Sequence, residues 1–182
     1  KELEDVKRRL EKVHRDVNEA SKEIVTRLRE VHKRANDESK KIIERLDTVL
    51  REVARRLADR RRDKKVEKLL RDIAREAEEI KKRVKRLNDE NRKRVEEVEK
   101  RVTKLNDENR KKVEDLLRVI DRGDLDAEEV ERRVRELEKD VRRLVEDIRR
   151  LVEELMRNAK EIVDTAEKLV RELERKLEEV VR

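Results

Sequence analysis

Phenylalanine, tyrosine, tryptophan, cysteine and proline are absent from this sequence, and glycine occurs once. A natural domain of 182 residues nearly always carries aromatics and several turn-forming prolines and glycines. Without aromatic side chains there is no stacking platform for nucleic-acid bases and no anchor for a helix lying on a membrane. Without cysteine there is no disulfide framework, and either redox compartment suits the chain. Long uncharged apolar runs are missing too. The chain starts Lys1-Glu2-Leu3-Glu4-Asp5, with neither a signal-peptide pattern nor a transmembrane segment, so a soluble protein of unassigned location is expected.

What remains is charge and aliphatic carbon. Asp, Glu, Lys and Arg make up 58% of the chain, and Leu and Val supply most of the rest. Such a composition belongs to long helices or to disorder, and periodicity decides between them. The net charge of +7 is spread rather than clustered. Basic residues alternate with acidic ones, as in Glu131-Arg132-Arg133-Val134-Arg135-Glu136, giving mixed i,i+4 neighbours on a solvated face. Nucleic-acid binding is therefore not expected. The densest basic run, Arg60-Arg61-Arg62, falls in a predicted loop.

Apolar residues recur in steps of three and four from Leu3 to Leu57, interrupted at Ser21 and Ser39. The period stays near 3.6 and does not drift toward the 3.5 of a supercoil, so a nearly straight helix is predicted. The stripe stops after Leu57 and resumes at Val66 about half a turn out of phase, which a turn explains, with Asp63 as the next N-cap. A second stripe ends at Asp121-Arg122-Gly123. There Gly123 suits a left-handed C′ position, and Asp126 with Glu129 reads as an N-cap with a capping-box partner. The expectation is a single all-α domain over residues 1–182: an elongated, nearly straight, up-down-up three-helix bundle. Its helices should cover about 2–58, about 64–121 and about 127–181.

An 18-residue repeat runs inside these helices. Val13-His14-Arg15-Asp16-Val17-Asn18 is followed eighteen residues later by Val31-His32-Lys33-Arg34-Ala35-Asn36, and Leu87-Asn88-Asp89-Glu90-Asn91 by Leu105-Asn106-Asp107-Glu108-Asn109. Eighteen residues are five whole turns, so equivalent side chains point the same way. One repeat further on, His14 and His32 become Leu50, Asn18 and Asn36 become Ala54, and Ser21 and Ser39 become Leu57. In the second helix Asn88 and Asn106 correspond to Leu70, and Asn91 and Asn109 to Ile73. Polar residues thus stand where apolar ones are accepted, and they should point inward. Folding the hairpin should bring His14, Asn18 and Ser21 to Asn106 and Asn109, and His32, Asn36 and Ser39 to Asn88 and Asn91. The facing part of the third helix is mostly apolar, so it should act as an outer buttress. The layers would then seek partners on other copies of the chain. Buried asparagines of this kind are best known for setting register and oligomeric state.

On these residues the chain resembles de novo designed helical bundles built on parametric backbones with buried hydrogen-bond networks. In particular it resembles designed pH-responsive helical oligomers, whose His–Asn networks lie between subunits. The resemblance implies a homo-oligomer, with a trimer favoured, packed into a larger symmetric bundle, and it implies disassembly on acidification. His14 and His32 would sense pH, because burial disfavours a charged imidazole. The network and interface would comprise Asn18, Ser21, Asn36, Ser39, Asn88, Asn91, Asn106 and Asn109. A monomeric three-helix scaffold or rigid spacer with closed networks and no switch is the alternative.

Other chemistries fit less well. The two histidines stand five turns apart and cannot chelate one ion from one chain, so no metal and no cofactor is expected. His14, Asn18 and Ser21 share a face but have no acidic orienter or oxyanion hole, so no enzyme is expected. Arg122-Gly123-Asp124 matches the integrin-recognition tripeptide, yet helix capping explains it more simply. Acid-triggered insertion into anionic membranes ranks last among the readings, for want of interfacial aromatics.

Overall fold

A computed structural model describes residues 2–59, 61 and 63–182, Glu2 through its backbone alone. Lys1, Arg60 and Arg62 lie outside the described residues, so of the basic run only Arg61 is placed, as an exposed turn residue. Three helices follow the apolar stripes: α1 Glu2–Leu57, α2 Lys64–Arg122 and α3 Ala127–Val181. Their ends differ from the expected ones by at most one residue, and the fold is all-α, with no strand among the described residues.

The helix ends follow local chemistry. Asp63 accepts a hydrogen bond from the Lys65 N–H at 3.3 Å and its carbonyl takes the Glu67 N–H at 3.1 Å, which makes it the N-cap of α2. Asp126 accepts from the Glu129 N–H at 2.8 Å and caps α3. Only half of the expected capping box forms there, because the Glu129 carboxylate is taken by Arg132 and Arg133. Gly123 has φ 68° and follows the last residue of α2, the left-handed C′ position that costs an L-residue strain. The turn after α1 needs no such residue among those described. Instead the Asp59 carboxylate accepts the Arg61 N–H at 3.2 Å.

Packing groups the chain into two compact units. The first comprises Lys1–Glu30 and Val95–Glu154, the second Val31–Arg94 and Leu155–Arg182. In the first, Leu10 and Val17 of α1, Val113 and Ile120 of α2, and Val130 and Val134 of α3 share one buried cluster. In the second, Ile42 and Leu46 of α1 pack with Leu70 and Ala77 of α2 and with Val170 and Leu173 of α3. All three helices therefore contribute to each core, and α3 is a full core member rather than an outer buttress. The repeat governs which positions are buried. Leu10, Leu28 and Leu46 stand eighteen residues apart on α1 and are each 0% exposed, as are Val134, Val152 and Val170 on α3, give or take no more than rounding.

Ion pairs cross between helices at the edges of these cores. In the first unit Arg9 reaches both Glu131, at 2.6 Å, and Glu138. Hydrogen bonding to Glu138 first, and then to Glu131, holds the Arg9 guanidinium above its ordinary pKa. In the second unit Arg45 pairs with Glu174, and Lys81 with Asp47 at 2.6 Å.

Replacing Gly123 by alanine should lower stability by about 1–2 kcal/mol through left-handed strain alone, since a Cβ there would meet nothing within 4 Å. Asp126→Ala should cost about 1 kcal/mol through loss of the cap. Urea unfolding followed by circular dichroism measures both. A neutral Gly123→Ala would show that the turn relaxes out of the left-handed region.

Candidate functional site

At 100° per residue, His14, Asn18 and Ser21 share the α1 side that also carries Lys7, and His32, Asn36 and Ser39 repeat that arrangement. Each set lies within one unit and faces its own pair of α2 asparagines. In the first unit Asn106 Nδ2 donates to Asn18 Oδ1 at 3.5 Å, and in the second Asn88 Nδ2 donates to Asn36 Oδ1 at 3.1 Å. The second is an ordinary amide hydrogen bond, whereas the first is stretched to the limit of one. The hairpin expected from sequence therefore brings these pairs together in both layers.

Burial is graded across each layer. Ser21, Ser39, Asn91 and Asn109 are buried, with Asn109 only 2% exposed. His14, His32, Asn18, Asn36, Asn88 and Asn106 are half-buried. Each imidazole turns a buried Nδ1 inward, and neither Nδ1 has a partner on the chain. The same is true of Asn88 Oδ1, Asn106 Oδ1, Asn91 Nδ2 and both amide atoms of Asn109. Leaving a buried donor or acceptor unpaired costs about 1–3 kcal/mol. Seven such atoms lie in the two layers among the described residues. The two layers also leave nearly the same set unpaired: a histidine nitrogen, the oxygen of the outer asparagine and the nitrogen of the inner one.

Charged residues on the same sides of α1 and α2 join across the seam. Lys7 pairs with Asp121 at 2.6 Å and Arg29 approaches Glu99 at 3.9 Å in the first unit, while Asp47 pairs with Lys81 in the second. The Lys81 hydrogen bond holds the Asp47 carboxyl below the usual range, and Asp47 in turn raises Lys81. Reading these charges as a merely solvated face misses the pairing. The signal was available in the repeat, for Arg29 and Asp47 stand eighteen residues apart, as do Glu99 and Lys81, with the signs exchanged.

Among the described residues no group of three or more His, Cys, Asp or Glu is placed to hold a metal ion, and no helix is long and apolar enough to cross a membrane. Arg122 ends α2, Gly123 adopts the capping conformation and Asp124 is exposed. No protein-family model, no curated protein and no solved structure matches the chain.

Two predictions follow from this geometry. Asn91→Ile places the residue type of Ile73 at this position and removes a buried donor that one chain leaves unpaired, so it should raise the stability of the isolated single chain by about 1–3 kcal/mol in urea unfolding; a loss there would mean that the amide is paired within one chain. Away from the layers, hydrogen bonds from Arg55 first and then Arg56 lower the Glu52 carboxyl from 4.5 to about 2. A carboxyl lowered on folding supports the fold above its unfolded value and loses that support as pH falls through the folded one. The Glu52 side-chain carbon should thus titrate near pH 2 by NMR, and Arg55→Ala should bring its titration back toward that of an ordinary glutamate.

Proposed function

We propose that this chain is a non-enzymatic structural module that self-assembles, with a homotrimer favoured, and that acid disassembles through its two His/Asn/Ser layers. One observation carries the reading: the buried atoms left unpaired in each layer include both donors and acceptors, so the set is complementary to itself. A second copy offers what the first lacks. The lack of aromatics, cysteine and proline, together with an 18-residue repeat inside single helices, supports a designed origin.

Acid sensitivity follows from imidazole chemistry. A neutral ring offers one donor and one acceptor, and a protonated ring only donors. Charging His14 or His32 turns Nδ1 from a group able to accept into one that must donate, and it places a positive charge against a half-buried layer. The assembly is then complete while the imidazoles are neutral and is lost once acid has charged them.

A monomeric three-helix scaffold is the second reading. It is favoured by the depth of Asn109 and by the Asn18–Asn106 and Asn36–Asn88 bonds, which close part of each layer within one chain.

Light scattering across pH separates the two. A mass of several chains at neutral pH that falls under mild acid is the expected outcome, and a single-chain mass throughout supports the scaffold. An oligomer unchanged at about pH 4, well below the reference imidazole value, rejects the switch. His14→Asn with His32→Asn should keep the assembly and abolish its acid response.

A further inference from the structure

We infer that the outward face of α2 in the second unit is a binding surface for the headgroups of an anionic lipid bilayer. The inference is independent of the polar layers and of self-assembly. The net charge of +7 is divided unevenly between the units. The second unit, Val31–Arg94 with Leu155–Arg182, holds thirty-one Lys and Arg against twenty-one Asp and Glu, and the first holds twenty-five against twenty-eight. Within the second unit most of the excess sits on α2. Residues 64–94 carry thirteen basic and seven acidic side chains, whereas residues 155–182 carry seven of each. The rest of α2, residues 95–122, carries eight of each. Charge asymmetry of this size between parts of one chain points to a partner of opposite sign.

The placement of these charges says more than their number. At 100° per residue, Lys64, Lys68, Arg75, Lys82, Arg86 and Lys93 fall within an arc of about 40° on α2. The arc lies opposite the buried Ile73, Ala77 and Val84, and all six cations are exposed. No acidic or apolar residue of 64–94 shares it. Among the described residues only Arg75 has a carboxylate within 4 Å, that of Asp72 at 3.9 Å. The ridge thickens at Lys82-Arg83-Val84-Lys85-Arg86, where Val84 enters the core and the four cations stay exposed. From Lys64 to Lys93 the line is about 44 Å long. A flat anionic surface meets such a line along its whole length, whereas the phosphates of a duplex wind away from it. Because the arc holds no apolar side chain, contact stops at the headgroups and needs no interfacial aromatics. Each Lys or Arg held at such a surface strengthens binding about fivefold.

The test is co-sedimentation of the full chain with vesicles. The chain should bind phosphatidylcholine vesicles that contain phosphatidylserine, and leave pure phosphatidylcholine vesicles alone. Binding should be lost at about 1 M salt, where the screening length falls to about 3 Å. Lys82→Gln with Arg86→Gln removes two ridge cations and should weaken binding about 25-fold, with the helical circular dichroism intact. The repeat supplies the control, for Lys100 and Lys104 occupy the same helical positions eighteen residues on, in the stretch of α2 that is neutral overall. Lys100→Gln with Lys104→Gln should leave binding nearly unchanged. Equal losses in the two variants overturn the ridge, because binding would then follow net charge alone. An unsubstituted chain that ignores the anionic vesicles overturns the surface altogether. A DNA duplex that strips the chain from the vesicles at equal phosphate concentration overturns the lipid assignment in favour of nucleic acid.

Discussion

Eighteen residues make five whole turns of an α-helix, and this commensurability governs the rest of the structure. A side chain and its equivalents in the following repeats leave the helix in the same direction, so one choice of residue is made two or three times with the same consequence. Leu10, Leu28 and Leu46 are all fully buried for this reason. Some of the cross-helix ion pairs follow the same rule. Arg9 meets Glu138 in one unit and Arg45 meets Glu174 in the other, with both partners displaced by two repeats. A period that drifted against the helix would have carried one of these pairs round to a different face.

Polar layers placed on such a lattice inherit its repetition. Asn88 and Asn106 occupy the position at which Leu70 is wholly buried, and Asn91 and Asn109 the position of Ile73. Each substitution gives up apolar burial and puts an amide where only correct pairing offsets its desolvation. The chain does this twice and leaves the third repeat apolar. That asymmetry gives an otherwise repetitive hairpin two distinguishable ends.

Much of the fold could be read from the sequence. The stripe that fails after Leu57 and resumes at Val66 marked the first turn, and Gly123 with Asp126 marked the second, because helix ends are decided by local hydrogen bonding that single residues reveal. The pairing of Asn18 with Asn106 and of Asn36 with Asn88 was legible for a related reason: a short turn fixes which residues of two helices lie opposite. The part played by α3 was less legible. Its mostly apolar face was compatible with a buttress or with a core wall, and only packing shows Val134 and Val170 at the centre of the two cores. The seam ion pairs were hidden by abundance. With 58% of residues charged, a charge next to a charge carries little information until the repeat is applied to it.

Histidine at positions 14 and 32 sets these layers apart from a purely amide network. If the layers served only to set register, a third asparagine or a glutamine at positions 14 and 32 would do so at every pH, since amides do not titrate. An imidazole provides the same neutral donor and acceptor but surrenders the acceptor when it is protonated. It stands half-buried on α1, with one nitrogen turned into the layer beside amides that are themselves incompletely paired. A network already short of partners has little reserve against the loss of one more acceptor. On the proposed reading, the incompleteness that draws neutral copies together also leaves the layers the part of the molecule least able to withstand acid.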